Sequence, residues 1–174
     1  MNDQTDLARG WLLKAHSDLL AARRILAGDG PYDTACLHTQ QAMEKTFKGL
    51  LAYRGQPIPR THDLEELALL CRQLESLPEL PLDDLADATD YAVLVRYDIE
   101  VWPSQEEARE ALMLAEQVSA LIRSHLPREI HPGMMTDGGA PGPPRQDGLV
   151  DRQRMAGLGV LVHNGAATVR SPDR

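Results

Sequence analysis

At 174 residues the chain is long enough for a single domain with one buried core. Its formal net charge of −8 excludes a general nucleic-acid binder built on a broad basic face, while leaving room for a small basic pocket. An aromatic content of 4% is also unlike proteins that stack bases on aromatic platforms. The spacing predicts a first helix over 4–27, with Leu7, Trp11, Leu12, Ala15, Leu19, Ala22 and Leu26 in one apolar stripe. Gly28, Gly30 and Pro31 stop it.

A second helix is expected from Tyr32 to Tyr53, ended by Gly55 and Pro57. At 100° per residue, Cys36, Met43, Phe47 and Leu50 fall on one side as core. Beside them lie Ala35, Thr39, Ala42, Thr46 and Gly49, small enough for another helix to come close. His38, Gln41 and Lys45 project together within roughly a 60° arc, and Gln40 and Glu44 occupy the other edge. After the linker GQPIPR, a third helix starts near Asp63, capped by Asp63 with Glu66 or by Thr61. Leu64, Leu67, Cys71 and Leu74 form its stripe.

Pro78 and Pro81 interrupt the pattern. A fourth helix then runs from Leu82 or Asp83 to Arg96–Ile99. Val93, Leu94 and Val95 make it apolar on every side, which implies burial or a partner surface; self-pairing through Val93 and Val95 would bury the surplus. Pro103 and Ser104, with Glu107, open a last helix whose stripe is Ala108, Leu112, Ala115, Val118, Ile122 and Leu126. No strand pattern competes over this region, so the class is all-α: an up-and-down bundle of four to five helices spanning 4–127.

Residues 128–174 are dense in Gly and Pro and are expected to be a disordered, dispensable tail; the run LGVLVHNG at 158–165 has no partner strand. Cys36 and Cys71 lie within helical patterns and read as buried, reduced thiols. There is no charged-then-apolar leader and no run of about 18 apolar residues, which leads to the expectation of a cytoplasmic protein without membrane association. No metal-ligand spacing, Gly-rich phosphate loop or nucleophile elbow occurs, so neither a cofactor nor a metal is expected.

Three polar features carry functional readings. His38, Gln41 and Lys45 either form a pocket directed at a phosphate or base, or make a solvated edge in which Glu44 bonds Lys48 across one turn. Arg96 continues the line Leu85, Thr89 and Ala92, so it is expected to point inward. It would then need an acceptor: Asp98, Glu100, a helix C-terminus or a bound phosphate. His62, at the start of the third helix, suits a local hydrogen bond that fixes the linker.

The segment CLHTQQAMEKTFKGLL (36–51) resembles the signature helix of HEPN domains. PRTHDLEEL (59–67), YAVLVRYDIEVWPSQEEAREAL (91–112) and the opening WLLKAHSDLLAARRIL follow in that family's order. The resemblance implies a homodimer and a small nucleotidyltransferase as partner, in a toxin–antitoxin-like pair. It also implies a nucleotide-binding or interaction module, with His38, Gln41, Lys45, His62, Arg96 and Tyr97 as the nucleotide- or anion-binding set and no catalytic residue assigned. The alternative is a metal-independent endoribonuclease toxin acting on RNA. Family ribonucleases carry an arginine and a histidine with four to six residues between them; here Arg96 opens RYDIEVWP, which has no histidine and has Asp98 where proline is usual. Arg9 and His16 match that spacing only in the first helix.

Overall fold

Five helices build the described part of the chain, and one of them touches all the others. In this computed structural model the described residues are 3–132, apart from 76 and 79. The helices are α1 (Asp3–Leu26), α2 (Tyr32–Tyr53), α3 (Leu64–Leu74), α4 (Leu82–Tyr97) and α5 (Gln105–Ser124), followed by a 3₁₀ turn at Arg128–Ile130. No strand occurs among the described residues. α2 packs against α1, α3, α4 and α5, so it forms the centre of the bundle. Met43, Phe47 and Leu50 are fully buried on it, as their shared face requires.

The small-residue face of α2 receives α1. Thr39 and Thr46 return their hydroxyls to Cys36 O and Ala42 O, each at 2.7 Å, so neither leaves a polar group unpaired in the contact. At Gly49 an added Cβ would lie 3.0 Å from Leu12 Cδ2, so a larger residue here would push the Leu12 side chain aside, and glycine lets the two helices meet without that shift. α2 ends at Tyr53 with Arg54 as its C-cap, and Gly55 turns the chain with φ +66. On α1 the buried stripe is Ala8, Leu12, Ala15, Leu19, Ala22 and Leu26; Leu7, expected inside, is half exposed, and Ala8 takes its place.

The caps agree with the sequence signals. The Asp63 side chain accepts from Glu66 N at 3.0 Å to open α3. Ser104 and Glu107 form a reciprocal capping box at α5. α3 gains a second N-terminal acceptor, because Leu64 N donates to Thr89 Oγ1 of α4 at 3.0 Å. Cys36 and Cys71 are buried free thiols, pushed up to about 11 and about 12 respectively by burial first and by nearby carboxylates second.

Two expectations about boundaries and faces are corrected. The ordered body continues past Pro127, since Ile130 is 1% exposed and the turn carrying it packs on α1. A three-residue turn is too short to show as a period, which hid it in the sequence. The remainder of the expected tail, 133–174, lies outside the described residues. Val95 turns into the monomer core, whereas Val93 and Leu94 are about half exposed. No helix among the described residues is long and apolar enough to cross a membrane.

Candidate functional site

α2 places two polar networks on opposite edges of its packed face. On the first, Asp18 of α1 meets His38 and Lys45 of α2. Asp18 is 8% exposed, with Oδ1 3.0 Å from His38 Nδ1 and Oδ2 2.5 Å from Lys45 Nζ. Lys45 also donates to Gln41 Oε1 at 3.1 Å. Three of the residues expected to bind an anion are thus occupied with a carboxylate or with each other. Asp18 was not foreseen, although a carboxylate between Ala15 and Ala22 on an apolar stripe is the usual sign of a buried ion pair.

The second network is more deeply buried. Gln40, Glu44 and Lys48 are all less than a tenth exposed, in contrast to the solvated edge that spacing alone allowed. Lys48 Nζ lies 2.8 Å from Glu44 Oε1, donates to Thr61 O at 2.9 Å and sits 5.7 Å from the Trp11 ring centroid. Glu44 Oε2 is 3.0 Å from His62 Nδ1, and Gln40 Nε2 donates to His62 O at 3.1 Å. The linker before α3 lies over this edge, and its carbonyls and imidazole meet the α2 side chains. Burial pushes the Glu44 carboxyl up, but hydrogen bonds and charge from Lys48 and His62 outweigh it and hold the group below the usual carboxylate range.

Between this edge and α4 a cleft of about 440 Å³ opens, lined from α2 by Gln40, Gln41, Glu44 and Lys45. His62 forms one end, and Thr89, Ala92, Val93, Arg96 and Tyr97 of α4 form the far wall. Five of the six residues expected to bind a ligand therefore share one cavity. His38 is the exception; it faces Asp18 of α1 and does not line the cleft.

Arg96 corrects the expectation that it points inward. Leu85 and Ala92 on its line are buried, but Arg96 itself, in the last turn of α4, is exposed. The line leaves the core one turn before the helix ends. Its guanidinium lies 6.0 Å from the Tyr97 ring centroid, and it forms no ion pair among the described residues. Neither Asp98 nor Glu100 pairs with it: Asp98 Oδ1 instead accepts from Glu100 N at 2.9 Å. No group of three His, Cys, Asp or Glu side chains among the described residues is arranged to hold a metal ion.

Relatives share this architecture. The structure of TT1696 from Thermus thermophilus is 31% identical, with a TM-score of 0.61, over 68% of this chain and 98% of that one. ST0689, described as an archaeal HEPN homologue, is 26% identical with a TM-score of 0.52, covering 68% of this chain and 96% of its own. No curated protein matches. The HEPN domain model matches residues 8–125, a span that runs from the second turn of α1 through α5 and contains both α2 networks and the cleft. With the model covering most of the chain and the helices packed as in these relatives, the chain belongs to the HEPN domain family.

Proposed function

We propose that the α2–α4 cleft binds a nucleotide, with Arg96 as its phosphate ligand. The observation that carries this reading is a difference in pairing. Glu44 and Lys45 in the cleft are engaged with other protein groups, whereas Arg96 has no carboxylate partner among the described residues. A guanidinium in that state is a ready donor for a phosphate, in a bidentate geometry that lysine does not offer. Tyr97, 74% exposed beside it, supplies a face for a base. Gln41 and His62 supply hydrogen bonds at the opposite wall. Titration of the protein with ATP tests this: Arg96→Ala should weaken binding by more than about tenfold, or ~1.4 kcal/mol. Equal binding by mutant and parent would leave Arg96 without this role.

The same part of α4 supports a homodimer. Val93, Ile99 and Trp102 are all half or more exposed, and Trp102 Nε1 donates to Ile99 O at 3.0 Å, which holds this segment in shape. Isologous pairing would remove that apolar surface from water. Sedimentation at micromolar concentration should give a dimer that Ile99→Asp converts to monomer. On the family resemblance, a small nucleotidyltransferase is the partner of this dimer in a toxin–antitoxin-like pair, and co-purification of the two chains is the direct check.

A second reading, metal-independent RNA cleavage, is favoured by one observation. The motif histidine is missing after Arg96, but His62 lines the same cleft with Nδ1 on the Glu44 carboxylate, leaving Nε2 for proton transfer. In that reaction Nε2 takes the ribose 2′-OH proton as the 2′-oxygen attacks phosphorus. The bond to the 5′-oxygen breaks, and the leaving oxygen takes a proton from water. Cleavage in EDTA that is lost in both His62→Gln and Arg96→Ala would favour this reading. The absence of cleavage in EDTA would leave nucleotide binding alone.

A further inference from the structure

A groove of about 590 Å³ lies between α4 and α5, on the flank of α4 away from the Arg96 cleft. The two helices each pack on α2, their backbones stay apart, and Tyr91 of α4 shares a hydrophobic cluster with Ala108 and Ala111 of α5 at the base of the groove. Its floor is apolar, made by Ala88, Tyr91 and Leu94 from α4 with Ala111 and Leu114 from α5. Leu94 is 47% exposed although it belongs to this floor.

The walls are uniformly acidic. Asp84, Asp87 and Asp90 stand at three-residue steps along α4, and Glu107 and Glu110 do the same on α5. All five are exposed, and none forms an ion pair among the described residues. Like charges one turn apart on a helix oppose its formation, and Asp is a poor helix former away from the first turn. Asp84 and Glu107 have local explanations in the first turns of their helices, and Glu107 completes the α5 cap. Asp87, Asp90 and Glu110 have none. These three carboxylates repel one another, and an external cationic group would relieve that repulsion.

We propose that this groove is a docking site for a basic amphipathic helix of another protein. The groove runs about 15 Å from Asp84 to Leu94, or roughly three helical turns. An apolar stripe on the incoming helix covers Leu94 and Leu114, and Lys or Arg on its two flanks meets the two acidic walls. Charge decides against the other occupants. A second copy docking through this same face would bring both sets of carboxylates together, and nucleic acid and anionic lipid carry the wrong sign.

The probe is a fluorescein-labelled synthetic helix of roughly 18 residues, about five turns, with a leucine stripe flanked by lysines. Its counterpart has every lysine replaced by glutamate. Fluorescence anisotropy with the full chain should show saturable binding of the first and none of the second. Asp84→Asn/Asp87→Asn/Asp90→Asn should weaken binding by about tenfold or more, at unchanged far-UV circular dichroism. Asp29→Asn/Glu66→Gln/Glu129→Gln removes as much charge from exposed sites elsewhere and should change binding less than about twofold. Asp87→Lys/Glu110→Lys should shift preference to the glutamate peptide. Equal weakening by both triple variants, or no discrimination between the peptides, would overturn the proposal. So would a change in sedimentation of the groove variant alone, which would assign the face to a second copy.

Discussion

α2 and the late turns of α4 face each other across one cleft, yet they treat charge in opposite ways. Glu44 and Lys48 on α2 are buried and paired, and the backbone of the next linker is held against them. Arg96 and Tyr97 on α4 are exposed, without an ion-pair partner among the described residues, and next to the apolar Ile99 and Trp102. The most recognisable residues of the chain therefore have a structural task, while the least tied-down ones are suited to meet something else. A buried ion pair fixes the wall of a site; an unpaired arginine gives it something to bind with.

The largest test of this contrast is Glu44→Ala. It strands Lys48, whose side chain is 6% exposed, and frees His62, so it should cost about 3–5 kcal/mol in urea unfolding. A loss under about 1 kcal/mol would mean that water reaches this edge. Asp18→Ala is the next step down. Removing the carboxylate that holds His38 and Lys45 should cost about 1–3 kcal/mol. It should also raise affinity for ATP, because Lys45 becomes available to the cleft; lower affinity would show that Asp18 shapes the site.

Arg96→Ala should do the reverse of Glu44→Ala: stability within about 0.5 kcal/mol of the parent, with the loss confined to ligand binding. A substantial fall in stability would return Arg96 to the structural residues. The smallest effect is on pH dependence. The Glu44 pKa is lower in the folded protein, so its contribution is present above the unfolded value near 4.3 and is lost as pH falls through the folded value. His16 is also lowered, by burial first and then by Arg123 and Arg23; its neutral form favours folding, and stability falls as pH drops below about 6.5. Urea midpoints from pH 8 to 3 should show both declines, and Glu44→Gln should reduce only the acidic one, to which the capping Glu107 also contributes.

Much of this was legible in the chain itself. Periodicity, the breaks at Gly28, Gly55, Pro78 and Pro81, and the caps at Asp63 and Ser104 placed the helices to within a residue or two, because these signals are local. Local signals also set Gln41, Lys45, His62 and Arg96 apart, the family resemblance added Tyr97, and all five line the cleft. The partner of each polar group was not legible. Asp18 holds Lys45 from another helix, twenty-seven residues away in sequence, and no spacing rule within α2 reveals it.

The sequence by itself determined an all-α bundle, a central α2 with a small-residue face for another helix, and a polar edge on α2, since all of these follow from the 3.6-residue period and side-chain size. Only the tertiary structure decided which charges were used up and which were left over. Pairing depends on what a neighbouring helix brings across the contact: α1 brought Asp18 to Lys45, the linker brought His62 to Glu44, and nothing among the described residues brought a carboxylate to Arg96. It also decided that α4 and α5 stand apart on α2, leaving an acidic groove whose residues look, in sequence, like two ordinary solvated helix faces.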